Sequence, residues 1–295
     1  MSSTLTAAAA TSSLTLPSSN SPAHQGRPIT TQASLSFDGV VRGEWIKLLS
    51  LRSIRWSVLV MLLVSWAGAA LLAVAIADPS MVTPESLPAL VAQSATFGSN
   101  ITVLIMGVLG VLAITSEYSS GLILSTLTAV PRRTPVFIAK ALVVAVIALS
   151  VGALSTFGGG AIAAMIFGDG AFAALVDPEV LVSLLGASLY LMFATLIAFG
   201  IGALLRSGAG AIATVVALLF ISTLIFQILS VTGWAWVPEV AQWLPSDLGY
   251  ELSTSQLTPA EFQGVGYWAA LGGLAAWAAA MLIPAAVLFK TRDAK

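Results

Sequence analysis

Six long apolar runs decide what this chain can fold into. They lie near residues 56–77, 96–115, 136–167, 181–205, 211–231 and 267–289. A helix of roughly 20 apolar residues matches the hydrocarbon thickness of a bilayer. Composition agrees, with 58% hydrophobic and 8% charged residues, too little charge to cover a soluble surface. The expected fold class is an all-α integral membrane protein with six transmembrane helices, occupying residues 35–295 and leaving no large soluble domain.

The basic residues sort cleanly between the gaps. Every Lys and Arg lies in the N-terminal flank, in the loop after the second run, at Arg206 or in the C-terminal tail. Residues 78–99, 168–180 and 233–266 contain none. Cytoplasmic segments retain basic residues, so both termini and the central loop are expected to face the cytoplasm. That arrangement requires an even number of crossings. The second run is short, and its helix is expected to begin near Thr96. The third carries Gly158, Gly159 and Gly160, which permit a bend or close packing, packing being the commoner use.

Residues 1–34 are rich in Ser, Thr, Ala and Pro and are expected to be a disordered cytoplasmic tail. They lack the basic start and apolar core of a signal peptide. From Ser36 to Arg55, Phe37, Val41, Trp45, Leu48, Leu49 and Ile54 recur at helical spacing beside Arg42, Lys47, Arg52 and Arg55. This reads as an amphipathic helix in the headgroup layer, with Trp45 and Trp56 at the interface. The plainer reading is a positive flank that orients the first span. Residues 233–266 combine Trp234, Trp236 and Trp243 with Glu239, Asp247, Glu251 and Glu261, and are expected to rest at the outer interface.

Several chemistries are absent from the sequence. There is no cysteine, and the single His24 lies in the polar tail. No Asp, Glu, Lys, Arg or His falls in the middle of a span, which argues against an ion-coupled carrier. The chain has no phosphate-binding loop of the G-x-x-x-x-G-K-[ST] type. No catalytic, metal or cofactor site and no nucleic-acid partner are expected. Mild polar residues in the spans include Tyr190, Thr195, Ser222 and Gln227. Such groups most often bond between helices, and these four are candidates for lining a pathway.

The stretch Ser116–Lys140, SEYSSGLILSTLTAVPRRTPVFIAK, is the most informative loop. Glu117 ends one span, Gly121 breaks the chain, and Leu122, Leu124 and Leu127 form a short apolar patch. Pro131, Arg132 and Arg133 follow, and Lys140 stands at the next entry. It is too polar to cross a bilayer and apolar enough to dock on a partner protein. A plain connector is the alternative.

The elements EWIKLLSLRS (Glu44–Ser53) and ITSEYSSGLILSTLTAVPRR (Ile114–Arg133) resemble those of permease subunits of bacterial type 2 ABC (ABC-2) transporters. The resemblance covers the chain from about Asp38 onward. Leu122 departs from it, because many relatives carry threonine there. The resemblance implies a multi-pass protein of the bacterial plasma membrane whose N-terminal helix is a connecting helix. It implies that residues 116–135 hold a coupling helix seated on a separate ATP-binding subunit, which would carry the ATP and Mg. Glu117, Gly121, Leu122, Leu124, Leu127, Pro131, Arg132 and Arg133 would form that coupling loop. The segment between spans five and six would make short outer helices or a re-entrant turn. Two permease chains and two ATPase chains would make an exporter, so this chain itself would not be an enzyme. A pairing of Glu117 with Arg52 or Arg55 is a further expectation. A non-transporting membrane anchor or sensor and an ion-coupled carrier are the competing readings.

Overall fold

All six expected crossings are helices in the computed structural model, which describes residues 36–78, 82–120, 133–254, 256–257 and 264–291. Helix α1, Phe37–Ser50, is started by Ser36, whose Oγ accepts from the Gly39 amide, with Asp38 favourably placed in the first turn. Leu51 turns extended, and α2 runs Arg52–Ile76. The first crossing therefore starts four residues before Trp56, with Arg52 and Arg55 in its opening turns. Helix α3 is Leu87–Phe97 and α4 is Ser99–Ser120. The long α5 is Arg133–Phe167, followed by the short α6, Ala171–Ala174, and by α7, Pro178–Leu205. Helix α8, Gly208–Val216, passes through a π-helical turn at Ala217–Ile221 into α9, Ser222–Ser230. Two short helices, α10 (Trp236–Ala241) and α11 (Pro245–Thr254), precede α12, Tyr267–Thr291.

Helix α7 is the axis of the bundle, packing on α4, α5, α12 and α11. Lipid tails are as apolar as leucine, so association inside a bilayer relies on close approach and interhelical hydrogen bonds rather than on a hydrophobic drive. The contacts follow that rule. A Cβ added at Gly186 would lie 2.1 Å from the Leu252 carbonyl oxygen, so only glycine lets α11 approach α7 there. The Gly158–Gly160 triplet does not interrupt α5, which is continuous. It admits the Trp66 ring at Gly158, and the Trp66 indole N–H donates to the Leu154 carbonyl at 3.2 Å. The Ser155 hydroxyl donates to Ser65, and Thr156 and Ser188 bond at 3.0 Å.

The second crossing is α4, which starts at Ser99, close to the expected Thr96, and the separate short apolar helix α3 leads into it with a break at Gly98. A Cβ at Gly98 would sit 2.6 Å from the Ser65 Cα, so the break lies where the chain touches the α2 backbone.

The segment between the fifth and sixth crossings also departs from a purely interfacial position. Ser246 Oγ donates to the carbonyl of Leu219, the middle residue of the Gly208–Ser230 helix. Trp277 Nε1 donates to the Trp243 carbonyl at 2.9 Å, and Trp277 lies about 15 Å along α12 from its start. Gly249 packs on the ring of Tyr190, about 18 Å along α7 from its start. Three separate spans thus place residues 243–249 near mid-depth. The α10–α11 hairpin is re-entrant, as the family resemblance allowed.

The bundle has two unlike ends. One gathers the described basic residues. Lys47 and Lys140 meet at Glu117, Arg206 stacks on Tyr118, and Lys290 follows Phe289, which packs on Phe137. The other holds the turns at 82–86 and 168–177 and the re-entrant hairpin, with acids only among the described charged residues.

Candidate functional site

Four charged side chains meet at the basic end. Glu44 and Lys47 are one turn apart on α1. Glu117 lies in the last turn of α4, and Lys140 lies two turns into α5. The Lys140 ammonium donates to Glu44 Oε2 and to Glu117 Oε1, and the Lys47 ammonium donates to the same Glu117 oxygen. Side-chain exposure is 1% for Lys140, 5% for Glu117 and 6% for Glu44. Two cations and two anions balance, which is the condition for burying such charges at all.

The local sequence dictates the placement. Val136, Phe137, Ala139, Val143 and Val144 are buried with Lys140 on the packed face of α5. Phe137 lies 5.3 Å from Phe199 of α7 and 5.5 Å from Phe289 of α12, ring centroid to centroid. Lys140 therefore cannot turn its amine to water without unpacking this aromatic layer. It is satisfied by carboxylates brought from two other helices. On α1, burial of Glu44 and Leu48 follows the same logic, since their one-turn spacing puts both against α5.

The expected partners of Glu117 are corrected. Arg52 and Arg55 are exposed, and Glu117 binds Lys47 and Lys140 instead. The extended Leu51 separates α1 from α2, so the arginines lie past the turn that brings Lys47 inward. Beside the cluster, Arg206 adopts a left-handed backbone (φ 53°) at the end of α7, and its guanidinium sits 5.2 Å above the Tyr118 ring.

The expected apolar face of the N-terminal helix is split. Leu48 is buried and Val41 half-buried, while Phe37, Trp45 and Leu49 are exposed. Of its four named residues, Lys47 turns inward and Trp45, Arg52 and Arg55 remain outside. In the coupling stretch, Gly121, Leu122, Leu124, Leu127, Pro131 and Arg132 lie outside the described residues, and the Arg133 backbone begins α5.

The four pathway candidates are not brought together. Tyr190 is buried under the re-entrant hairpin. Thr195 donates to the Leu191 carbonyl and packs on Gly110. Ser222 donates to the Leu218 carbonyl at the π-helical turn, and Gln227 is exposed on α9. Sequence reasoning missed Glu44 as a site residue and treated Lys140 only as a flank. The available signal was a lysine set inside the apolar run FIAKALVV, an expensive position unless an anion meets it.

A family model described as "ABC-2 family transporter protein" matches residues 40–224, nearly two thirds of the chain, including all four cluster residues, the first four crossings and most of the fifth. A comparison with curated proteins gives no match. The six apolar helices, the charge cluster inside the matched region and the match itself agree: this chain is a multi-pass membrane protein that belongs to the ABC-2 transporter family, as a permease.

Proposed function

We propose that this permease is the translocating subunit of an ATP-driven exporter, moved by a separate ATP-binding chain through residues 116–135. The observation that carries this reading is the ion-pair cluster. Glu117 and Lys140 flank the segment on either side and are bound to each other, and both are bound to α1. A push on the segment is transmitted at once to α1, α4 and α5, because moving any one of them alone would expose an unpaired charge to an apolar surround. Closure of two ATPase chains on ATP would supply the push, and the bundle would tilt against a second permease chain to alter exposure of the path. Leu122, Leu124 and Leu127 supply apolar contact, and Arg132 and Arg133 meet acids on the partner or anionic headgroups.

The basic end faces the cytoplasm of a bacterial plasma membrane in this reading, and both termini share that side. Helix α9 buries no residue of its own, and α2 exposes Leu71 and Val74, leaving apolar faces for lipid or a second permease copy.

The test is a pull-down of the ATP-binding chain with Leu124→Asp/Leu127→Asp protein. Loss of association is expected. Retained association overturns the docking role.

A further inference from the structure

The opening turns of α2 carry two guanidiniums that the chain leaves without a carboxylate. Glu44 and Glu117 are taken by Lys47 and Lys140, and no Asp or Glu occurs between Glu44 and Asp78. Among the described residues no acid pairs with Arg52 or Arg55, and both arginines are exposed.

The two do not stand alone. An open recess of about 400 Å³ is lined by Arg52, Arg55, Trp56 and Leu59. These are positions i, i+3, i+4 and i+7 of α2, so they form one stripe along a single face. Leu63, a further turn on, continues the stripe and is exposed as well, and Trp56 is 66% exposed. The opposite face of α2 is the packed one, where Ile54, Val58 and Met61 join the core.

The stripe changes chemistry with depth. Helix α2 has 25 residues, about 37 Å at 1.5 Å per residue, against a hydrocarbon core of about 30 Å. Its opening turn therefore reaches the headgroup level, where Arg52 and Arg55 stand. Trp56 follows at the depth that indole rings favour. Leu59 and Leu63 lie about 10 and 16 Å along the helix from Arg52, in the acyl region. Cation, indole and aliphatic, in that order, match the phosphate, glycerol ester and acyl chain of a phospholipid. Side chains three apart on a helix are neighbours, so both guanidiniums reach one phosphate, and their planar forks of donors suit its oxygens.

Other occupants fit this face less well. A second copy of the chain meeting it across a two-fold axis would set four guanidiniums together. An acidic soluble protein would satisfy the arginines but stop at the headgroups, leaving Trp56 and Leu59 uncovered.

We propose that Arg52, Arg55, Trp56 and Leu59 form a discrete site for an anionic phospholipid, its phosphate held by the two arginines and an acyl chain lying along Leu59 and Leu63. A single residue, Leu51, separates the site from α1, which carries Glu44 and Lys47. A bound lipid thus steadies the elbow that presents both to the ion-pair cluster. The inference needs neither an ATPase nor a cargo, so it and the export reading can each fail alone.

The experiment titrates the full chain, in nonionic detergent, with an equimolar mixture of phosphatidylglycerol and phosphatidylcholine of the same acyl chains, and counts bound lipid by native mass spectrometry. The wild type is expected to retain one phosphatidylglycerol, preferred roughly tenfold over phosphatidylcholine. Arg52→Gln/Arg55→Gln reduces that preference to near one. Arg42→Gln, which alters an exposed arginine of α1 outside the recess, leaves it unchanged. Phosphatidylglycerol bearing a diazirine on its acyl chain labels the peptide containing residues 56–63, and excess soluble glycerophosphate does not displace the lipid. A wild-type preference near one overturns the proposal, as does a preference that survives in the double variant. An equal fall in Arg42→Gln would mean diffuse attraction, and displacement by glycerophosphate a plain anion site. Either overturns it, and so does labelling confined to other peptides.

Discussion

The two ends of this molecule handle buried charge in opposite ways. At the basic end, Glu44, Glu117 and Lys140 are deeply buried and neutralise one another, with Lys47 completing the set from a half-exposed position. At the other end there is no cation. Glu251 is satisfied by backbone amides of the chain approaching α12, and Asp247 keeps one bare oxygen. A closed set of charges resists separation, so the basic end is built to move as a unit. A lone carboxyl oxygen ties no helices together, so the acidic end carries no comparable lock. The contrast is what the proposed coupling requires: charge that locks helices together lies at the end where the push would arrive.

The comparison breaks most completely if the two ends face the wrong compartments. The chain contains no cysteine, so Ser125→Cys and Thr134→Cys give clean single labels. Neither is expected to react with a membrane-impermeant maleimide in intact cells, and both are expected to react in inverted vesicles. Labelling from outside would reverse the assignment of the ends.

The next largest effect concerns the closed set. Lys140→Met removes the ammonium that two buried carboxylates share, and is expected to cost about 3–5 kcal/mol, read as a lowered thermal unfolding transition in detergent. Replacing the group entirely, as Glu44→Leu/Glu117→Leu/Lys140→Met, is expected to recover much of that stability, because a well-packed apolar substitute often matches a buried ion cluster. The triple variant should nonetheless lose ATP-dependent transport while it still binds the ATPase chain. A triple variant that transports normally would reduce the cluster to a packing element.

The smallest effect is at Arg206. Arg206→Ala removes the stacking on Tyr118 and retains the left-handed backbone, for a loss of about 0.5–1 kcal/mol. Arg206→Gly relieves that backbone while losing the same contact, so it is expected to be milder. Thermal unfolding of the two variants side by side orders them, and the reverse order would mean that the left-handed backbone at 206 carries no strain for glycine to relieve.

Much of the architecture was legible in the residues. The apolar runs predicted six crossings because a bilayer accepts little besides long apolar helices, and the α2, α7 and α12 boundaries fall within a few residues of the runs. The helix leading into the short second run was harder. Leu87–Phe97 is apolar but follows a polar turn, and its junction with α4 depends on contact between Gly98 and Ser65, residues more than thirty positions apart. The site was legible only in its types. Glu117 and Lys140 stood out at span edges, whereas Glu44 looked like one more polar residue on a basic helix. The pairing of Glu117 was missed because proximity along a charge-rich segment favours no partner until the turn at Leu51 is known.

By itself the sequence determined that the chain spans a membrane six times, that its basic residues gather at one end, and that no span carries a charge at its centre. Those properties follow from local composition, which a bilayer reads directly as transfer free energy. Only the tertiary structure decided which charges meet and how deep the hairpin sinks. Both depend on helices distant in the chain approaching closely at small residues such as Gly186 and Gly98. Asp247 is the clearest case. In sequence it belongs to a loop, and the folding of that loop against Leu219, Tyr190 and Trp277 carries it to a depth at which no run of residues had placed a charge.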